Sequence, residues 1–164
     1  MCIRDGVAVT CTRGGFTSEV EVGHFREDAQ GFVAWYSADS GSTPPVDNFS
    51  IEVYAIERFG GPSTPGVYPI QDENYADCGL CVTGRWSCGA DGRCANGFLA
   101  SNGTVEITEM PQAVGDAFGG TVSNVWMRAV TVSGADVSTP VPGGDVWCID
   151  GFSFRVPAVT PMPE

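Results

Sequence analysis

Four cysteines, Cys78, Cys81, Cys88 and Cys94, fall within residues 75–97 at the spacing C-x2-C-x6-C-x5-C. Thiols so grouped can hold zinc, run redox exchange or form disulfides. A four-thiolate zinc site prefers two close pairs, each with roughly two to four intervening residues. The second pair here has five. A redox C-x-x-C needs a helix opening at its first cysteine, and Val82-Thr83-Gly84 is a poor helix start. Structural disulfides remain, and the stretch reads as a cross-linked clasp. Cys2, Cys11 and Cys148 bring the total to seven, so three bridges leave one thiol unpaired. Cys2–Cys11 would staple an N-terminal hairpin, whereas Cys11–Cys148 would tie the first strand to the last. Spacing does not choose between them.

The carboxylates come next. Asp72, Glu73 and Asp77 precede the clasp and Asp91 lies inside it. Calcium takes about six to eight oxygen ligands, often from such loops. These four are the residues it would use, although no D-x-D-x-D-G run organises them; no other cofactor is implied. His24 is the only histidine, and no G-x-S-x-G elbow accompanies it. Twenty acidic residues supply many carboxylate pairs for glycoside hydrolysis, but no spacing selects one. No catalytic set emerges. Among the aromatics, Trp126 and Trp147 sit in strong strand contexts and read as core. Trp86, between Arg85 and Ser87, reads as an exposed binding anchor, with Tyr75 beside it.

The elements that must position these groups are short strands. Residues 7–11 and 16–22 alternate, the second with Phe16, Val20 and Val22 on one face. Residues 31–37 are apolar on both faces, as in a central strand. Phe49, Ile51, Val53 and Ala55 alternate with Ser50, Glu52 and Tyr54. Residues 66–70 contain Pro69 and suit only an edge. Residues 98–100 and 104–108 read as a hairpin around Ser101-Asn102-Gly103, since Asn-Gly favours tight turns. Residues 119–132 lose their alternation near Asn124, which predicts a bulge. Residues 146–156 close the domain, followed by an extended Pro-rich tail at 157–164. No segment keeps a helical period over three turns. The expectation is one all-β domain over residues 1–156: an antiparallel β-sandwich of nine to ten strands, a jelly roll being one form of it, stapled by disulfides.

Composition agrees. Gly (22) and Pro (11) favour turns over long helices. Twenty acidic residues against eight basic ones, all arginine, give a net charge of −12. That disfavours nucleic acid and anionic membranes as partners and suits basic partners or divalent cations. No apolar run is long enough to span a bilayer. Residues 1–5 lack the basic start and apolar stretch of a signal peptide, so the sequence reads as a mature form. Asn48-Phe49-Ser50 and Asn102-Gly103-Thr104 match the N-glycosylation pattern. Seven cysteines in a chain of this size indicate an oxidising compartment.

At Asn74-Tyr75-Ala76-Asp77-Cys78-Gly79-Leu80-Cys81 and Gly143-Gly144-Asp145-Val146-Trp147-Cys148-Ile149-Asp150, the chain resembles a loose group of cysteine-containing bacterial secreted or lipoprotein-type proteins. The likeness extends through residues 66–68, 95–100 and 119–132. It implies an exported β-domain with a cross-linked clasp and carries over no catalytic residue. The function expected is therefore a secreted or cell-surface, non-enzymatic structural or adhesive module. Its partners would be copies of itself, assembling through terminal segments, or another surface protein or glycan. A carbohydrate-binding module, with or without calcium, is the alternative, and an exported hydrolase the third reading.

Overall fold

Period-two alternation shapes the whole chain. The computed structural model describes residues 2–4 and 7–160, with side chains over 9–159. It contains twelve strands and, among the described residues, no helix. They are β1 (Cys2–Arg4), β2 (Val7–Val9), β3 (Arg13–Gly14), β4 (Val20–Asp28), β5 (Gly31–Asp39), β6 (Val46–Ile56), β7 (Gly66–Pro69), β8 (Leu80–Cys88), β9 (Asn96–Glu109), β10 (Ala117–Val132), β11 (Ser138–Pro140) and β12 (Val146–Thr160). The all-β, disulfide-stapled expectation holds. The division into two face-packed sheets does not appear in the hydrogen bonding: apart from the β1–β2 pair, ten strands form one sheet. Within it, β10, β12, β4, β5, β6, β8 and β9 pair in turn, and β9 returns to β10. Seven strands thus form a closed ring, with β7, β11 and β3 as short additions.

Closure falls to the segment expected as a tail. Strand β12 runs on to Thr160, with Pro157 opposite Ala117 and Ala158 opposite Gly23. The β12–β4 contact is a parallel pair in an otherwise antiparallel ring. It requires Gly23: a Cβ there would lie 2.6 Å from the Pro157 carbonyl oxygen and 2.7 Å from Val156 Cγ2. Hence β4 begins at Val20 rather than at residue 16, and its inward residues are Gly23 and Phe25. Val20 is exposed, and Phe16 reaches the core from outside the strand.

The Asn102-Gly103 hairpin is also absent; β9 is continuous. On β9, Phe98 and Ala100 face inward before this point, and Val105 and Ile107 after it. On β10, Phe118 and Val122 precede Asn124, and Val125 and Met127 follow. Both strands therefore change phase at the same level. The shift lies between Ser123 and Trp126, with positive φ at Asn124 (51°) and Gly103 (127°). A paired bulge keeps both faces inward where a turn would have ended the strands. The bulge expected at Asn124 is present.

The interior carries an aromatic cluster centred on Trp147, fully buried. Its ring lies 5.7 Å from Trp86, 5.8 Å from Phe98, 5.9 Å from Phe16 and 6.3 Å from Phe49. Beneath it β8 carries Gly84, whose Cβ would collide with the indole. The Nε1–H donates to the Gly15 carbonyl at 2.9 Å, tying residues 11–16 across the interior. The same strap is held by Thr12 N–H to Val146 O and Gly15 N–H to Cys148 O, both 2.8 Å, and by the Cys11–Cys148 disulfide.

Three disulfides join described residues: Cys11–Cys148, Cys78–Cys81 and Cys88–Cys94. The Cys2 side chain lies outside the described residues. The expected clasp is two separate local bridges, one at each end of β8. Their separations are 3 and 6 residues, against 137 for Cys11–Cys148. The chain-entropy account gives an upper limit of about 5 kcal/mol for the long loop and about 2 kcal/mol for each short one. Replacing Cys11 and Cys148 together by alanine is expected to cost about 3–5 kcal/mol in urea unfolding, against about 1–2 kcal/mol for either local pair. Equal losses for all three would show that the strap does not constrain the unfolded chain as described.

Candidate functional site

Glu52 should face solvent by its place in the alternation of β6, yet it is only 3% exposed. Residues 71–79 cross the outer face of the sheet and cover it. Asn74 and Ser138 pin that crossing to β11. Asn74 Nδ2–H donates to Ser138 O, Ser138 N–H donates to Asn74 Oδ1, and Tyr75 N–H donates to Ser138 Oγ, each at 2.9 Å. At the other end, the Cys78–Cys81 bridge joins the crossing to β8.

The Glu52 carboxyl is bound from two sides. Oε2 accepts hydrogen bonds from Tyr54 OH at 2.7 Å and Tyr75 OH at 2.8 Å. Among the described residues Oε1 has only Thr83 Oγ1, at 3.5 Å, and so keeps acceptor capacity. Among the described residues Glu52 forms no ion pair. Burial pushes its pKa up, against the two phenols and the more distant charge of Arg85, which favour the ionised form. Burial and the neighbouring carboxylate push both tyrosines well above the ordinary phenol range, so both remain hydrogen-bond donors.

Glu52, Tyr75 and Thr83 belong to a cleft of about 180 Å³ on the outer face of β8, β9 and β10. Leu99, Val130 and Val132 supply apolar walls, and Arg85 and Asp136 stand among the lining residues as exposed charges. Gly97 leaves a gap between Arg85 and Val130: a Cβ there would meet nothing nearer than the Val130 carbonyl oxygen at 3.5 Å. A second hollow shares Arg85, Gly97, Val130 and Val132 and continues toward Gly92 and Cys94. A buried carboxyl with one free acceptor, set among hydroxyls and aliphatic walls, is suited to holding a hydrogen-bond donor.

Sequence reasoning named Tyr75 for this region but missed Glu52. The phase of β6 makes Glu52 look solvated, and no local signal announces that a loop covers it. Trp86 is not an exposed anchor. It is 8% exposed, packs 4.3 Å from Phe98, and is capped by the Arg13 guanidinium at 5.0 Å from its ring. Arg13 in turn pairs with Asp47, whose Oδ1 accepts the Ser87 N–H at 3.0 Å. Position 86 points inward because Val82 and Gly84 on the same strand do. Trp126 and Trp147 are buried as expected.

The four carboxylates considered for calcium do not converge. Asp72 pairs with Arg128 at 2.7 Å, Glu73 lines a hollow with Phe59 and Leu80, and Asp77 is exposed. Asp91 caps its own turn through the Arg93 N–H at 3.1 Å. No three His, Cys, Asp or Glu side chains come together as metal ligands among the described residues. The clasp sulfurs are engaged in disulfides, which leaves no thiolate for zinc, and Cys78–Cys81 leads into strand β8 instead of the helix that a redox C-x-x-C needs. Asn48 Nδ2, in one glycosylation pattern, donates to Ser37 Oγ, Ala38 O and Asp39 Oδ1 at 2.8–3.1 Å.

Because the folded state raises the Glu52 pKa, the neutral form favours folding. That contribution is complete below the ordinary carboxylate range and is lost as pH rises through the folded-state value. The melting temperature of the native protein is therefore expected to fall relative to that of Glu52→Gln between about pH 4 and pH 8. A constant difference across that range would show that Glu52 is not desolvated.

Among the described residues no helix is long and apolar enough to cross a membrane, and three disulfides mark a chain that matures in an oxidising environment. No protein-family model, no curated protein and no solved structure matches this chain.

Proposed function

We propose that the chain is an exported or cell-surface binding module of the adhesive kind, without catalytic activity, whose contact point is the Glu52 cleft. The observation that carries this reading is the buried Glu52 carboxyl, with one oxygen satisfied by two phenols and the other left available beside Thr83. Desolvating a carboxyl costs stability, so a site of this kind is more readily understood as a holder of a ligand than as packing. Its frame is rigid: a closed strand ring, three disulfides and a covering segment fixed by Asn74 and Ser138. The resemblance to exported cysteine-containing β-domains points the same way.

Assembly through a terminal strand has little to draw on. Residues 157–160 already pair with β10 and β4 of their own chain, and the outermost described strands of the sheet, β7 and β11, are only four and three residues long. The hydrolase reading has one observation in its favour. Asp136 lines the same cleft as Glu52, giving two carboxylates in unlike environments.

A ligand-observed NMR screen with sugars, amines, carboxylates and alcohols decides among these readings. At least one class is expected to bind, to be released by Gly97→Leu, which fills the gap in the cleft, and to remain chemically unchanged over a day. Binding indifferent to Gly97→Leu would remove the cleft as the site, and turnover of a bound compound would make the protein an enzyme.

A further inference from the structure

We propose that the Glu52 cleft binds an alkyl-ammonium or alkyl-guanidinium group, carried by a small amine or by a Lys or Arg side chain of a partner. This inference rests on the cleft being the binding site and names the chemistry it accepts. Glu52 is a buried carboxyl without an ion pair among the described residues, and its Oε1 has no partner closer than 3.5 Å. A charged donor is the group that best offsets a desolvated carboxylate. Above it, Leu99, Val130 and Val132 present aliphatic surface that suits the methylene stem of such a ligand. Asp136 adds a second negative charge at the lining. Among the described lining residues Arg85 is the one cation, and it is exposed, where water and salt weaken its repulsion. The net charge of −12 raises the local concentration of cations around the whole molecule.

The same features disfavour the other ligand classes. An anion would meet Glu52 and Asp136. A sugar ring prefers an open aromatic platform, whereas of the two aromatic side chains in the lining Phe98 is turned into the core and Tyr75 is half-buried with its hydroxyl held by Glu52.

The probes are pentylamine, agmatine and the peptide acetyl-Gly-Lys-Gly-amide, set against pentanol, pentanoate and methyl glucoside. Titration of the intact oxidised protein is followed by calorimetry at low and moderate salt. At least one cationic probe is expected to bind at least tenfold more tightly than pentanol or pentanoate, and to weaken as salt rises. Glu52→Gln should reduce that binding at least tenfold. Gly97→Leu should do the same with Glu52 untouched, so the test survives if the first variant folds poorly. Preference for the free amines over the peptide would assign the site to small molecules; equal or tighter binding of the peptide would assign it to a protein side chain. The proposal is overturned if pentylamine and agmatine bind no better than pentanol and the peptide does not bind. It also fails if cation binding persists in both variants. If methyl glucoside or pentanoate binds instead and Gly97→Leu abolishes it, the cleft stands as the site and only the cation assignment falls. If no probe responds to Gly97→Leu, both readings fall.

Discussion

The Trp147 indole is the group on which the rest of the structure depends. It fills the centre of the ring, where it meets Phe16, Phe49, Trp86 and Phe98. Burying one large aromatic side chain contributes roughly 1.5–3 kcal/mol, and this one also sets the placement of other elements. Gly84 has to be glycine because the indole lies against it. The strap over residues 11–16 lies where it does because Trp147 Nε1–H needs an acceptor in the interior and Gly15 provides one. With the strap in place, Phe16 fills the core and Arg13 covers Trp86 beside Asp47. One buried N–H thereby organises an N-terminal segment that has little strand structure of its own.

The outer face follows a different rule. There the sheet is covered by an irregular segment, not by another layer of strands, and irregular backbone brings polar groups that must be satisfied. Asn74 and Ser138 do this by exchanging hydrogen bonds. Tyr54 and Tyr75 do it for the carboxyl beneath, each presenting an apolar ring with one polar tip. The result is a pocket with a polar floor and aliphatic walls, set outside a core that mixes aromatic and aliphatic side chains. The ring supplies rigidity and the covering segment supplies chemistry, a common division between scaffold and loop.

Much of the architecture was legible because period-two alternation is a local property. Phe49, Ile51 and Val53 announce their strand, and Pro69 announces an edge. The readings that failed did so where the deciding contact is remote. Gly23 reads as an ordinary glycine until β12 lies across it. Asn102-Gly103 reads as a turn until β10 is seen to slip at the same level. The tail reads as loose until its alternation, Phe154, Val156 and Ala158, is continued into the ring. The cysteines revealed the oxidising environment but not their pairing, because pairing depends on which strands adjoin. The candidate site was hidden for the same reason: burial of Glu52 is caused by a segment some twenty residues away, and local sequence pattern carries no record of it.

The ring's one parallel contact has a temporal consequence. Strand β4 lies near the beginning of the chain, and its partner in β12 ends at the last described residues. A chain growing from its N-terminus can form β4, β5 and β6 early, but one flank of β4 stays unpaired until the final strand arrives. Such long-range pairing makes folding slow and leaves a sheet edge open meanwhile. The closed ring is therefore a state reached only after β12 has been made, and the half-made chain must be kept from pairing its open edge with a neighbour.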